Sequence, residues 1–323
     1  MRTVPAGPSD MPEDSGHARF RSMFVSAADG LRLHVRDYGE RFWETTAVVC
    51  LPGLARTSAD FHDLALRLST DPRAPRRVVS CDMRGRGRSE YDPKPAHYDV
   101  AIEAQDVLSI MAAMGIVKAG FVGASRGGLQ IMALAAIRPT VIAGDVLLDI
   151  GPVIEGKGLA RIKGYVGKLP SVSNLEDATA LLKRLGAAQF PVWSDVQWRQ
   201  MAERSFHQTP SGLLPNYDPA LATVLGAINL EAPLPTLWPF FEALAHAPLL
   251  AIRGGNSDIL SAATLTEMAR RHPRCEILTA EGEGHVPDVG APSLSERIVA
   301  FMQKLDVPAP RAFAAQGGGQ AQA

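Results

Sequence analysis

Six residues, Gly123-Ala124-Ser125-Arg126-Gly127-Gly128, restrict the fold of this 323-residue chain more than any other segment. They follow the apolar run Ala119–Val122 and lead into Leu129-Gln130-Ile131-Met132-Ala133-Leu134. That pattern reads as a strand, a tight turn around a serine, and a helix. Small residues beside Ser125 suit such a turn, because a strand passing directly into a helix brings backbone against neighbouring segments and side chains would collide. The turn lifts the hydroxyl clear of the sheet and aims the following N–H groups at whatever the serine attacks. A bare Gly-x-Ser-x-Gly is a weak signal in a long chain; the strand before it and the helix after it give it weight.

The flanking sequence repeats that rhythm. Leu31–Arg36 alternates with period two, as a half-exposed strand does, while Ala47–Leu51 is continuously apolar, as a strand buried on both faces is. Arg77–Asp82, Ala143–Ile150, Leu249–Arg253 and Cys275–Leu278 also read as strands. Phe61–Leu68, Val100–Met114 and Leu294–Leu305 have helical spacing. Alternation of this kind predicts an α/β fold, a mostly parallel doubly wound sheet with helices on both faces.

Residues 151–244 break the rhythm. This stretch has no convincing strand, is punctuated by proline, and has helix-like segments at Asp177–Leu185 and Val196–Arg204. It reads as a helical cap inserted over the carboxyl edge of the sheet, where open α/β sheets bind ligands and where a lid excludes water. The expected organisation is a core of residues 21–150 and 245–306, a cap of 151–244, a disordered leader of 1–20 and a low-complexity, disordered tail of 307–323.

Composition narrows the partners. Net charge is −1, so no global field favours nucleic acid or an anionic membrane. No apolar stretch approaches the roughly 20 residues needed to cross a bilayer. The N-terminus lacks the basic and apolar regions of a secretory signal. Cys50, Cys81 and Cys275 are scattered without C-x-x-C spacing, which predicts a reducing, cytoplasmic location and no disulfide framework. Cys50 and Cys81 lie in apolar runs and read as small buried hydrophobes. No two histidines have metal-ligand spacing, so neither metal nor other cofactor is expected.

A serine hydroxyl needs a base to take its proton, and the base needs an orienting carboxylate. His285, in the Gly-rich stretch Glu281-Gly282-Glu283-Gly284-His285 after the last strand, is the best base in the chain. Asp258, in Arg253-Gly254-Gly255-Asn256-Ser257-Asp258, follows a strand through a Gly-rich exit and is the expected acid. Asp149, at the end of an earlier strand, is the alternative. The N–H of Arg126 and that of Leu54, in the turn Leu51-Pro52-Gly53-Leu54, are the expected oxyanion donors. Asp82-Met83-Arg84-Gly85-Arg86-Gly87-Arg88-Ser89 lacks dinucleotide-binding spacing and reads as a structural loop whose arginines bond carbonyls and carboxylates behind the site.

Leu51-Pro52-Gly53-Leu54, Asp82-x-Arg84-Gly85-x-Gly87-x-Ser89, Gly123-x-Ser125-x-Gly127-Gly128, and Asp258 with Gly284-His285, in that order, resemble the α/β-hydrolase superfamily in its capped, serine-hydrolase branch. The resemblance implies Ser125 as nucleophile, Asp258 as acid, His285 as base, and Leu54 and Arg126 as oxyanion donors. Two residues depart from it: Leu51-Pro52 stand where many members have a His before the Gly, and Arg126 stands where an apolar or amide side chain is commoner. The Arg126 guanidinium is expected to pair either with a cap carboxylate or with an acidic substrate, the former being the commoner fate. Arg56, Trp193 and Trp238 are candidate substrate contacts.

The expected activity is hydrolysis of a carboxylic ester, lactone or thioester of a small to medium substrate through an acyl-enzyme, without cofactor. A carbon–carbon hydrolase acting on a dienoic ring-cleavage product is the first alternative. A non-catalytic ligand receptor on the same fold is the second.

Overall fold

The computed structural model describes residues 19–40 and 44–306; nearly all of the expected leader and all of the expected tail lie outside them. Ten strands and ten α-helices are described. In chain order they are β1 (Arg21–Ser26), β2 (Arg32–Tyr38), β3 (Val48–Leu51), α1 (His62–Thr70), β4 (Val78–Cys81), α2 (Val100–Ala113), β5 (Ala119–Ala124), α3 (Arg126–Ile137), β6 (Ile142–Leu148), α4 (Gly156–Tyr165), α5 (Leu175–Gly186), α6 (Asp195–Ser205), β7 (Phe206–Thr209), β8 (Gly212–Pro215), α7 (Ala222–Gly226), α8 (Trp238–Glu242), β9 (Leu249–Gly254), α9 (Ala262–Arg271), β10 (Cys275–Ala280) and α10 (Pro292–Gln303).

Eight strands form one sheet in the order β1-β2-β4-β3-β5-β6-β9-β10. From β4 to β10 every neighbouring pair is parallel, and only the β1–β2–β4 edge is antiparallel. Period-two alternation divides the apolar strand residues between two cores. Val49, Leu51, Phe121 and Leu147 pack with Ile110 of α2 and with Ile131 and Leu134 of α3. Val48, Cys50, Val122, Val146 and Leu148 pack with Leu64 and Leu68 of α1 and with Ile298 and Met302 of α10. Both faces are covered, which is why these strands read as unbroken apolar runs. Strand order reverses between β3 and β5, so the loops leaving their carboxyl ends diverge and open a crevice between them. The Pro52-Gly53 turn and the Ser125 turn are those two loops.

The segment between β6 and β9 is mainly helical, with a small core of Ala178, Ala202, Phe206 and Leu213 and an aromatic group of Phe190, Trp193 and Trp198. It also contains strands, contrary to the sequence reading: β7 and β8 pair antiparallel, Phe206 opposite Pro215 and Thr209 opposite Gly212. Each strand is only four residues long, Phe-His-Gln-Thr and Gly-Leu-Leu-Pro, joined through Pro210-Ser211, too short for a period-two pattern to register. The segment is tied to the sheet domain by Arg161–Asp258, Arg204–Asp63, and the Gly87 N–H donated to the Asn216 carbonyl. Among the described residues, no helix is long and apolar enough to cross a membrane.

Candidate active site

Ser125 stands between β5 and α3 at φ 50°, a backbone conformation that disfavours L side chains by about 1 kcal/mol or more. Its N–H donates to the Leu148 carbonyl at 2.9 Å, which ties the turn to the end of β6. Gly127 shows why nothing larger fits: a Cβ there would lie 2.0 Å from the Leu51 carbonyl oxygen. Absence of that methyl lets the serine turn lie against the end of β3.

Ser125 Oγ is 2.8 Å from His285 Nε2, on the loop joining β10 to α10. His285 Nδ1 is 2.8 Å from Asp149 Oδ2. The carboxylate on this histidine is therefore that of Asp149, and the expectation that Asp258 fills this place is corrected. Asp149 follows β6 directly, at φ 53°, with its N–H donated to the Ile252 carbonyl at 2.7 Å. It is fully buried and accepts hydrogen bonds from the Gly254 N–H (2.8 Å) and the Ser257 hydroxyl (2.5 Å). The end of β9 and the loop after it thus contribute donors, where a carboxylate was expected from that loop. Ser257 carries no sequence signal that sets it apart from its neighbour Asp258.

Asp258 has a different hydrogen-bond partner. Arg161 of α4 holds it through Nε and Nη2 at 2.7 and 2.8 Å. Burial opposes its ionisation, but the Arg161 hydrogen bonds and charge outweigh that and leave the carboxyl below its ordinary value. Packing fixes the arrangement, since a Cβ on Gly158 of α4 would sit 2.4 Å from the Asp258 carbonyl oxygen.

The base loop rests on the inserted segment as well. Gln189 Oε1 accepts the His285 N–H at 2.9 Å, while its Nε2 reaches the Asn256 carbonyl at 3.2 Å. Trp193 donates its indole N–H to the Glu283 carboxylate at 3.1 and 3.2 Å. Burial raises the Glu283 carboxyl above its ordinary value despite that bond. Gln189 carried no sequence signal, because its amide acts across 96 residues.

Ser125 and His285 open on a cavity of about 210 Å³. Leu54, Phe61, Ile162, Leu182, Phe190 and Trp198 give it apolar walls, with Arg56, Asp60, Arg161, Gln200, Arg204 and Asp288 among its polar lining residues. Arg56 and Trp193 line the cavity, as expected, though Arg56 already bonds Asp60 and Ser205. Trp238 does not line it: α8 sits against α3, and the indole packs edge-on to Phe241 under the Arg271 guanidinium. The N–H groups of Leu54 and Arg126 donate to no group among the described residues.

The Arg126 side chain pairs with neither a cavity group nor a carboxylate of the inserted segment. Its Nε donates to Glu103 of α2 at 2.6 Å. The arginine-rich loop after β4 has the structural role read from its sequence. Arg84 bonds Asp29, Asp92 and Asp106, and so lies among the Asp29, Asp92 and His97 groups that could otherwise gather around a cation. Arg86 bonds the Leu54 carbonyl and Glu103.

Comparison with known proteins agrees with this architecture. The chain is 32% identical over 275 residues to 3-hydroxybutyrate-oligomer hydrolase of Cupriavidus necator, covering 82% of this chain and 91% of that protein. It is 26% identical over 290 residues to 2-(acetamidomethylene)succinate hydrolase of Mesorhizobium japonicum, covering 90% and 98%. The crystal structure of an alpha/beta hydrolase from Novosphingobium aromaticivorans superposes with a TM-score of 0.81 at 38% identity, over 90% of this chain and 100% of that one. These relatives are hydrolases, and hydrolase activity is what they support for this chain. Residues 48–297 match the alpha/beta hydrolase family, and with this sheet, this serine turn and these relatives, the chain belongs to that family.

Proposed function

We propose that the protein is a serine hydrolase that cleaves a carboxylic ester, lactone or thioester of small to medium size through an acyl-enzyme. The observation that carries this reading is the pair of 2.8 Å contacts joining Ser125 Oγ to His285 Nε2 and His285 Nδ1 to Asp149 Oδ2. Ser125 attacks the carbonyl carbon while His285 takes its proton. The buried Asp149 carboxylate holds the imidazole tautomer and stabilises the imidazolium that forms. The N–H groups of Leu54 and Arg126 receive the oxyanion. His285 returns its proton to the leaving alcohol or thiol, then activates water to release the acid. A cavity with mostly apolar walls suits a short acyl or alkyl chain better than a highly charged ligand. In this reading residues 151–244 form a cap that roofs the site. The oligoester named in the Cupriavidus relative belongs among the first substrates to try.

The test is Ser125→Ala on p-nitrophenyl butyrate. Triad removals elsewhere lead to an expected loss of about 10³-fold or more in kcat. Near-normal turnover would sink the assignment. A coloured dienoate run beside the esters separates the carbon–carbon alternative: rapid turnover of the dienoate by a protein inert toward esters selects it. Biological function that survives Ser125→Ala selects the receptor.

A further inference from the structure

Arg126 sits one residue past the serine, yet its guanidinium is buried away from the cavity. Besides Glu103, it donates through Nη2 to the Tyr98 carbonyl at 2.7 Å. Glu103 is wholly buried on α2, and its other oxygen accepts from Arg86 Nη1 at 2.5 Å. Gln130, one helical turn beyond Arg126 on α3, donates to Glu103 at 2.7 Å. Arg86, also wholly buried, donates its Nε to the Leu54 carbonyl at 2.6 Å. Leu54 and Arg126 are the two expected oxyanion donors, and neither N–H donates to any group among the described residues. A continuous set of short, charge-assisted hydrogen bonds therefore joins the two donor segments, and Glu103 is its midpoint.

We propose that Glu103 is a positioning residue for the oxyanion hole: it holds the Leu54 segment through Arg86 and the residue after the serine through Arg126, and so fixes the separation of the two donor N–H groups. The inference rests on the serine-hydrolase reading above. Glu103 and both arginines lie outside the inserted segment, but the network also touches it: the Arg86 backbone bridges Tyr217, and the Tyr98 hydroxyl donates to Asp218 at 2.5 Å. Burial alone would push the Glu103 carboxyl up, but the two guanidiniums hold it down at about 2, which keeps it ionised throughout the working pH range.

The charge count selects the variant. Two guanidiniums share one carboxylate, so Arg126→Met leaves a matched Arg86–Glu103 pair, whereas Glu103→Gln strands two buried cations and endangers the fold. Purified full-length protein, wild type, Arg126→Met and Arg126→Lys, is titrated with a fluorophosphonate to count functional serines. Kinetics on p-nitrophenyl butyrate, affinity for an aryl boronic acid that mimics the tetrahedral adduct, and thermal midpoints are then measured per titrated site.

Arg126→Met is expected to lower kcat about 10- to 100-fold while KM stays within about 2-fold, since slight misplacement of a donor is felt mainly in the transition state. Boronate affinity should fall by the same factor as kcat/KM, and Arg126→Lys should recover most of the loss. Unchanged kcat per titrated site, or a lower midpoint with boronate affinity intact, overturns the positioning role and leaves the serine-hydrolase reading standing. A wild-type protein that the fluorophosphonate fails to label at Ser125 overturns that reading instead.

Discussion

The ends of β6 and β9 lie side by side in the sheet, and each is followed by an aspartate with a different fate. Asp149, after β6, is fully buried and bonded by the Gly254 N–H, the Ser257 hydroxyl and the His285 ring. Asp258, beyond β9, is matched to a guanidinium through both oxygens. Both Asp258 oxygens bond a guanidinium, so Asp258 reaches His285 only through its charge, whereas Asp149 bonds the ring directly. The contrast teaches that the surroundings of an acid, more than its place in chain order, decide whether it can serve a base.

That contrast can be broken by exchanging one oxygen for nitrogen at each position. Asp149→Asn should lower kcat about 10⁴-fold, the loss that follows when an acid of this kind no longer selects the tautomer of its histidine. Comparable damage from Asp258→Asn would return the acid to the β9 side. Ser257→Ala sharpens the comparison by removing one donor from Asp149 and leaving its charge. An order-of-magnitude loss in kcat, about 10-fold, is expected, because a hydrogen bond to a charged group is worth about 1.5–3 kcal/mol and only part of it acts in the transition state. Full activity in this variant would mean that Gly254 alone suffices to hold the carboxylate.

Asp258→Asn should change kcat by less than about 3-fold and act on stability instead, by about 1 kcal/mol, since the pair is partly exposed. The sign with pH follows from its lowered carboxyl. The ion pair's contribution is complete above the unfolded value of about 3.9 and is lost as pH falls through the lower, folded value. Denaturant melts of wild type and Asp258→Asn should therefore differ at pH 7 and converge in acid. A gap that persists at the lowest pH at which both remain folded would place the effect in packing.

The sheet and the serine turn were legible because their signals are local. Apolar runs bounded by Gly and Pro mark strands covered on both faces, and small residues around Ser125 mark a close approach. His285 was legible from its flanking glycines and its place after the last strand. The choice between Asp149 and Asp258 was not, because it depends on Asp149 lying beside Gly254 across 105 residues and on α4 sending Arg161 to Asp258. Chain order is satisfied by either residue. The β7–β8 pair was not legible because four-residue strands are too short to show alternation, and Trp238 was not placed because an aromatic on a wall of the cavity and one packed on α3 have the same local sequence character. Glu103 resembled any polar residue of a surface helix, and only the fold brings two arginines to it.

The 2.0 Å that separates a notional Cβ at Gly127 from the Leu51 carbonyl oxygen also bears on how this site can be varied. Position 127 is closed to every side chain unless two strand ends part, so a library randomised there should return glycine alone. Position 126 differs, because it already holds a long buried side chain bonded to Glu103 and the Tyr98 carbonyl. In the proposed reading, variation beside the serine is sterically open at position 126 and closed at position 127.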